Sequence, residues 1–273
     1  MVFKIFCLFL LLFVFGCTST DNKIAFQESD VGMYNKGLML LKSENFEKSV
    51  EIFNELELQH PYSDLASKGQ VMAGFSLYSD NKYDEAILTL SKFIELNPNH
   101  QLVPYALYLK GYSYFERMPK VDLDQKFSER AFETFSELQN RFPKSVYANK
   151  SINHIKTLRN HLASKELKVG KFYQSEGYLL AGLKRYKNIL KNYRNTIHVP
   201  ESIYRIIECY ISLGLKKQVI YLYKILNYNF SGSEWDSETK KLIKKHKIDF
   251  KSKDFEKKEL DLKKLDKNDF DLI

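Results

Sequence analysis

Two stretches of this chain repeat one another in register. "YNKGLMLLKSENFEKSVEIFNELELQHP" (residues 34–61) and "GQVMAGFSLYSDNKYDEAILTLSKFIELNP" (residues 69–98) carry matching marker residues 37 positions apart. The first set is Gly37, Leu40, Phe46, Ser49, Phe53, Leu56 and Pro61; the second is Gly74, Leu77, Tyr83, Ala86, Leu90, Phe93 and Pro98. A period of this size points to stacked helical hairpins, because one copy cannot bury its own apolar face and gains a core only from its neighbours. The residue types suit two antiparallel helices in close contact. Gly37 and Ser49 mark the crossing, where a larger side chain would push the helices apart. Phe53 and Leu56 are three apart and share a face. Pro61 stops the second helix.

The pattern resembles the tetratricopeptide repeat, a helix–turn–helix of about 34 residues, here with a longer link between units. Three further units follow less regularly. Gly111, Tyr114, Ala131, Phe135, Leu138 and Pro143 mark the third, with "ERMPKVDLDQKF" inserted between its helices. Gly170, Tyr173, Gly182, Tyr186 and Ile189 mark the fourth, with Arg194 in the proline place. Ile207, Tyr210, Val219, Tyr223 and Leu226 mark the fifth, with Ser231 in that place. From Ser145 to Val169 there is neither Gly nor Pro, and Ile152, Ile155, Leu158 and Leu162 recur at helical spacing. The expected fold is all-α: a solenoid of about five helix–turn–helix units, with one long helix joining units three and four. Scarce Gly (11) and Pro (6) agree with helices. The first helix of each pair would line a concave groove suited to polypeptides, with no enclosed pocket for small-molecule chemistry.

The opening residues decide where such a spine works. Ile5 to Phe15 is an apolar run well short of the ~20 residues a spanning helix needs. Lys4 ahead of it and Gly16 behind it fit a secretion leader. Cysteine follows at once, and "VFGC" (residues 14–17) resembles a bacterial lipobox. Residues 1–16 would then be a signal peptide and Cys17 the lipidated start of the mature chain; an ordinary leader with a chance cysteine is the other reading. Each buried CH₂ contributes ~0.8 kcal/mol, and two or three acyl chains hold firmly where one does not. Residues 17–29 form a polar tether, 30–235 the solenoid, and the covalent lipid on Cys17 is the only attached group expected. Cys209 remains alone among apolar neighbours in "IYRIIECYISL", a buried and inert thiol with no disulfide partner.

The formal net charge is +8, with Lys and Arg spread along the chain and not gathered into one block, which argues against nucleic acid. Residues 236–273 mix both signs, and Phe250, Phe255, Leu260, Leu265 and Phe270 recur every five residues. That spacing holds no single helical face, so the expectation is a charged tail in the form of a solvated or frayed helix outside the core, or one ordered by a partner. No Gly-rich phosphate cradle, Gly-x-Ser-x-Gly elbow or Cys-x-x-Cys occurs. His154 and His161 are seven apart on the long helix, ~10 Å along its axis, too far to share a metal. Asp122 and Asp124 in "VDLDQ" are expected in a solvated loop. No metal site is expected, and the chain is expected not to be an enzyme.

The lipobox, five such repeats and the insertion in the third together resemble the BamD family of tetratricopeptide lipoproteins. The join "NPNHQLVPYALYLKG" and the segment "LRNHLASKELKVG" carry the likeness, which spans Asp30 to about Trp235. It implies an outer-membrane lipoprotein facing the periplasm, a scaffold in β-barrel assembly. Its partners would be a BamA-type barrel protein, other Bam lipoproteins and unfolded barrel precursors. The alignment of "GYLLAGLKRY" places Arg185 where the family pairs an arginine with an acid of that barrel protein, and a guanidinium fork suits a carboxylate; Arg185 lying over its own helix is the alternative. Tyr34, Tyr78, Tyr105, Tyr108 and Tyr112 lie on first helices, where they would stack on an extended apolar peptide or simply pack the core. The competing function is a periplasmic repeat adaptor for Tol-system or peptidoglycan-synthesis proteins.

Overall fold

A computed structural model describes residues 28–248 and 261–262. The leader, Cys17 and nearly all of the tether lie outside the described residues, as does most of the stretch after residue 248. Among the described residues there are eleven helices and no strand. They pair as α1 (Asp30–Lys42) with α2 (Phe46–Gln59), α3 (Asp64–Ser79) with α4 (Tyr83–Leu96), and α5 (Val103–Glu116) with α6 (Lys126–Arg141). Then come α7 (Val146–Ser175), α8 (Leu179–Asn192), α9 (Val199–Ser212), α10 (Lys216–Phe230) and α11 (Glu234–Lys245). Each helix packs on the next, and first helices touch along the row α1–α3–α5–α7. This is a tetratricopeptide solenoid.

The marker residues meet as their types require. A Cβ on Gly37 would stand 2.6 Å from the Phe53 ring, one on Gly74 2.6 Å from Leu90, and one on Gly111 2.7 Å from Phe135. Gly170 faces the Tyr186 ring in the same way. Phe53, Leu90, Phe135 and Tyr186 are all fully buried. The small residue of the second helix closes the crossing: Ser49 donates from Oγ to the Gly37 carbonyl at 2.9 Å and lies 3.1 Å from Ser76 Oγ of the next unit. The fifth pair has Ile207 in the glycine place, and there Tyr223 is only partly buried.

Turn chemistry repeats too. In four units the two helices are joined by three residues whose middle one has positive φ: Glu44 (60°), Asn81 (58°), Gly177 (83°) and Gly214 (73°). Ser29, Ser63, Ser145 and Ser233 cap the helices that follow them through their hydroxyls, and Pro104 and Pro200 open α5 and α9. The missing prolines at 194 and 231 leave no blur: Thr196 Oγ1 donates to the Tyr193 carbonyl at 2.8 Å, and Gly232 turns the chain with φ 77°.

α7 runs 30 residues, ~45 Å. Its first half meets α6, where Gln139 donates to the Ala148 carbonyl and Ser151 Oγ, and its second half meets α8, where Gly170 faces Tyr186, so it completes unit three and begins unit four. The charged tail expected from residue 236 is corrected over residues 236–248. α11 starts inside the solenoid boundary set at 235 and packs on α9 and α10. Its contacts come from Trp235, Thr239, Leu242 and Ile243, a set at i, i+4, i+7 and i+8 that the five-residue spacing farther on had obscured. Asp236 is buried and satisfied by Gly232 N (3.0 Å), Asn227 Nδ2 (3.1 Å) and Lys240 Nζ (2.9 Å). Cys209 is buried, and burial pushes its thiol up to about 11.

Two substitutions test this geometry by chemical denaturation. Gly170→Ala should lose about 1–3 kcal/mol, the usual range for overpacking, since the Tyr186 ring cannot yield while its hydroxyl donates to Gln174 Oε1 at 2.7 Å. Glu44→Gly, at a left-handed position, should leave stability unchanged or raise it by up to about 1 kcal/mol.

Candidate functional site

Two surfaces combine exposed polar atoms with apolar area, one in the middle of the spine and one toward its C-terminal end. The first is aromatic. On α5 the residues Tyr105, Tyr108, Tyr112 and Phe115 recur at helical spacing and share a face. Tyr78 of α3 reaches Tyr112 at 5.8 Å between ring centroids, and Tyr112 continues to Tyr108 at 5.9 Å. Tyr147 of α7 closes on Tyr105 at 5.0 Å and on Tyr108 at 5.7 Å. His154, two turns on, sits edge-on to Tyr112 at 5.0 Å and stacks on Phe135 at 5.4 Å. Four of the five tyrosines singled out in the sequence therefore form one surface. Tyr34 does not join it; it packs on Phe53 at 5.8 Å in the first unit.

Apart from Phe135, which is fully buried beneath them, these rings are half-buried, which sets their chemistry. Burial pushes the Tyr105 phenol up to about 12, and raises Tyr78, Tyr108 and Tyr112, with the nearby Glu116 charge adding to Tyr78 and Tyr112. Burial lowers His154, against the pull of Glu116. The surface is thus neutral and amphipathic near pH 7, built for stacking with hydrogen bonding at its rim. Tyr147 and His154 escaped the sequence reading because α7 was taken as a connector. Their separation of seven residues, directly after the Ser145 cap, was the available signal.

The second surface is a basic cleft of about 820 Å³ along α8. Lys184, Arg185, Lys187 and Lys191 line it against a single acid, Glu166 of α7, with Tyr173 and Leu180 supplying apolar wall. Arg185 Nη1 donates to Glu166 Oε1 at 3.2 Å and Oε2 at 3.4 Å. The arginine side chain stays 42% exposed while the glutamate is 16% exposed. One nitrogen of the fork is thereby committed to the fold.

The insertion of unit three flanks the same arginine: Asp122 and Asp124 are exposed in a loop, as expected, and that loop is pinned to α7. Lys165 Nζ of α7 donates to the Asp122 carbonyl at 2.9 Å, and Lys168 pairs with the Asp122 carboxylate. Gln125, buried, donates to the carbonyls of Lys120 and Leu123 at 3.0 Å each and accepts from Ser128 Oγ at 2.9 Å. A smaller cleft of about 350 Å³ lies between the insertion and α8, with Glu166 and Arg185 in its wall. Among the described residues no group of three or more His, Cys, Asp or Glu is placed to hold a metal, and no helix is long and apolar enough to cross a membrane.

Residues 27–224 match the family model of YfiO, described as an outer membrane lipoprotein. The outer membrane protein assembly factor BamD of Caulobacter vibrioides is 33% identical over 233 residues, covering 84% of this chain and 76% of that protein. The protein of the same name from Rickettsia prowazekii is 31% identical over 231 residues, covering 85% and 92%. That of Neisseria meningitidis serogroup A is 29% identical over 228 residues, covering 80% and 85%. The match takes in both surfaces and the pinned insertion, and with it this chain belongs to the YfiO family of outer membrane lipoproteins.

Proposed function

We propose that this chain is an outer-membrane protein assembly factor that acts as a scaffold and makes or breaks no bond. The observation that carries the proposal is the match to assembly factors along nearly the whole solenoid, both surfaces included. In this reading Cys17 carries the lipid, and the helical spine works on the periplasmic side of the outer membrane. Arg185 meets an acid of a BamA-type barrel protein: Glu166 orients the guanidinium from below, and the exposed N–H groups of the fork can donate to a carboxylate bidentately. The aromatic surface of Tyr78, Tyr105, Tyr108 and Tyr112 receives barrel precursors. An unfolded strand alternates apolar and polar side chains, and half-buried phenols can stack on the first kind and hydrogen-bond near the second. The Tol-system or peptidoglycan-synthesis adaptor gains no support, since the relatives are named as assembly factors.

Affinity purification through a C-terminal tag in mild detergent should bring down a large β-barrel protein with periplasmic repeats. Recovery of Tol or wall-synthesis proteins in its place refutes the proposal. In the same assay Arg185→Ala should cut recovery about tenfold, near the cost of one good interfacial charge pair, with the fold retained and only a modest fall in thermal stability from the unpaired Glu166. Arg185→Lys should recover little of the loss, because an ammonium cannot present two parallel donors. A photoreactive side chain at Tyr112 should crosslink to barrel precursors, and one at Tyr34 should not. Cys17→Ser should move the protein from the membrane pellet to the detergent-free wash.

A further inference from the structure

One carboxylate at the edge of the aromatic surface has no counter-charge. Glu116 is the last residue of α5 and is exposed, and among the described residues it forms no ion pair. The cation that follows it is already taken: Arg117 pairs with Asp84 and lies 4.1 Å over the Phe127 ring. Lys82, just ahead of α4, pairs with Asp80 at 2.9 Å. The negative end of the α5 dipole falls at the same place, so carboxylate and helix end add to one another.

Three tyrosines gather round this charge. Tyr112 stands one turn back from Glu116, at the i, i+4 spacing that sets two side chains side by side on a helix. Tyr78 of α3 lies 5.8 Å from Tyr112 between ring centroids, and Tyr83, which opens α4, lies 5.7 Å from Tyr78. Tyr83 Oη donates to Asn81 Oδ1 at 2.8 Å, which fixes that ring. Burial raises the Tyr78 and Tyr112 phenols first, and the Glu116 charge and the Tyr83 phenol add to both. All four groups therefore share one spot. Rings with an unmatched acid among them are the chemistry that takes a cation, since ring faces attract it and the carboxylate neutralises it.

The rest of the surface indicates what carries the cation. From Tyr112 the rings step to Tyr108 at 5.9 Å, and from Tyr108 to Tyr147 at 5.7 Å. That step is close to the ~7 Å between same-face residues of an extended strand. A free ion would use the cage alone, whereas a strand uses cage and row together. Arginine suits the cage better than lysine, because its plane stacks on a ring while its edge donates to a carboxylate.

We propose that Tyr78, Tyr83, Tyr112 and Glu116 form a site for one arginine side chain of an incoming strand, with the guanidinium on the rings and its N–H groups donating to Glu116. This rests on the aromatic surface being a receiver of unfolded strands, and adds a register to it. The cation seats at Glu116, and apolar residues at every second position follow the row toward Tyr108 and Tyr147.

The test uses the full chain, extracted from envelopes in mild detergent, and three fluorescent ten-residue peptides of alternating apolar and polar residues. They differ only in carrying arginine, citrulline or glutamate at one position, and binding is read by anisotropy. The arginine peptide should bind about tenfold tighter than the citrulline peptide, which keeps the shape and lacks the charge; the glutamate peptide should bind weakest. Glu116→Gln should weaken the arginine peptide about fivefold and leave the citrulline peptide unchanged. Tyr83→Leu, with the fold checked by circular dichroism, should weaken it about threefold. Equal binding of the arginine and citrulline peptides overturns the proposal; if Tyr112→Ala then weakens both alike, the surface still receives strands and only the recognition of charge fails. Absence of binding by all three peptides overturns the receiver as well. A Glu116→Gln change that alters only self-association of the chain also overturns the proposal, since a second copy is then the occupant.

Discussion

The contact on which everything else depends is a glycine on one helix facing a large side chain on the next. Four times along the chain the second helix drives Phe53, Leu90, Phe135 or Tyr186 into the space where a Cβ would stand. A glycine inside a helix costs about 1 kcal/mol against alanine. Here it permits burial of a large side chain, a gain of about 1.5–3 kcal/mol for each. The exchange also fixes orientation, because ring and glycine fit at a single rotation of each helix. Ser49, bonded to Gly37 in its own unit and facing Ser76 of the next, carries the setting from one hairpin into its neighbour. With rotation fixed unit after unit, the residues left facing outward on first helices are forced into a row. The aromatic surface follows from that row.

The C-terminal half relaxes this rule. Ile207 replaces glycine in the fifth pair, and apolar burial spreads across α8, α9, α10 and α11. α11 lies across α9 and α10, held through the buried Asp236 and its three donors. The insertion acts likewise farther along. Lys165 and Lys168 fasten it to α7 while Glu166, between them in sequence, holds Arg185. Three residues within one turn of one helix thus join unit three to unit four. The basic cleft is consequently a property of two units locked together, and its arginine points from a frame, not from a mobile surface.

Much of this was legible in the sequence, because close packing writes itself as residue identity. The register of Gly37 with Gly74 and the break-free stretch from Ser145 announced the hairpins and the long helix. What stayed hidden was tertiary partnership. α11 escaped because Trp235, Leu242 and Ile243 are diluted by lysines that solvate its outer face, and because the apolar spacing beyond it belongs to other residues. The insertion is the loop it read as, but its anchoring stayed hidden, because Gln125, a polar residue, does its work by gathering carbonyls into the interior. His154 was weighed as a metal ligand and meets only aromatic rings. Composition shows that a residue needs partners; it does not show which ones.

Two faces of one spine acquire different characters from this arrangement. First helices present the aromatic surface, while the groove between the second helices of units one and two is bridged by the Lys92–Glu57 ion pair at 2.8 Å. The rings of the first face lean on one another: Tyr78 on Tyr112, Tyr112 on Tyr108 and Tyr108 on Tyr147. Three helices thus contribute to one chain of rings, and the packing that fixes the helices also preorganises the surface.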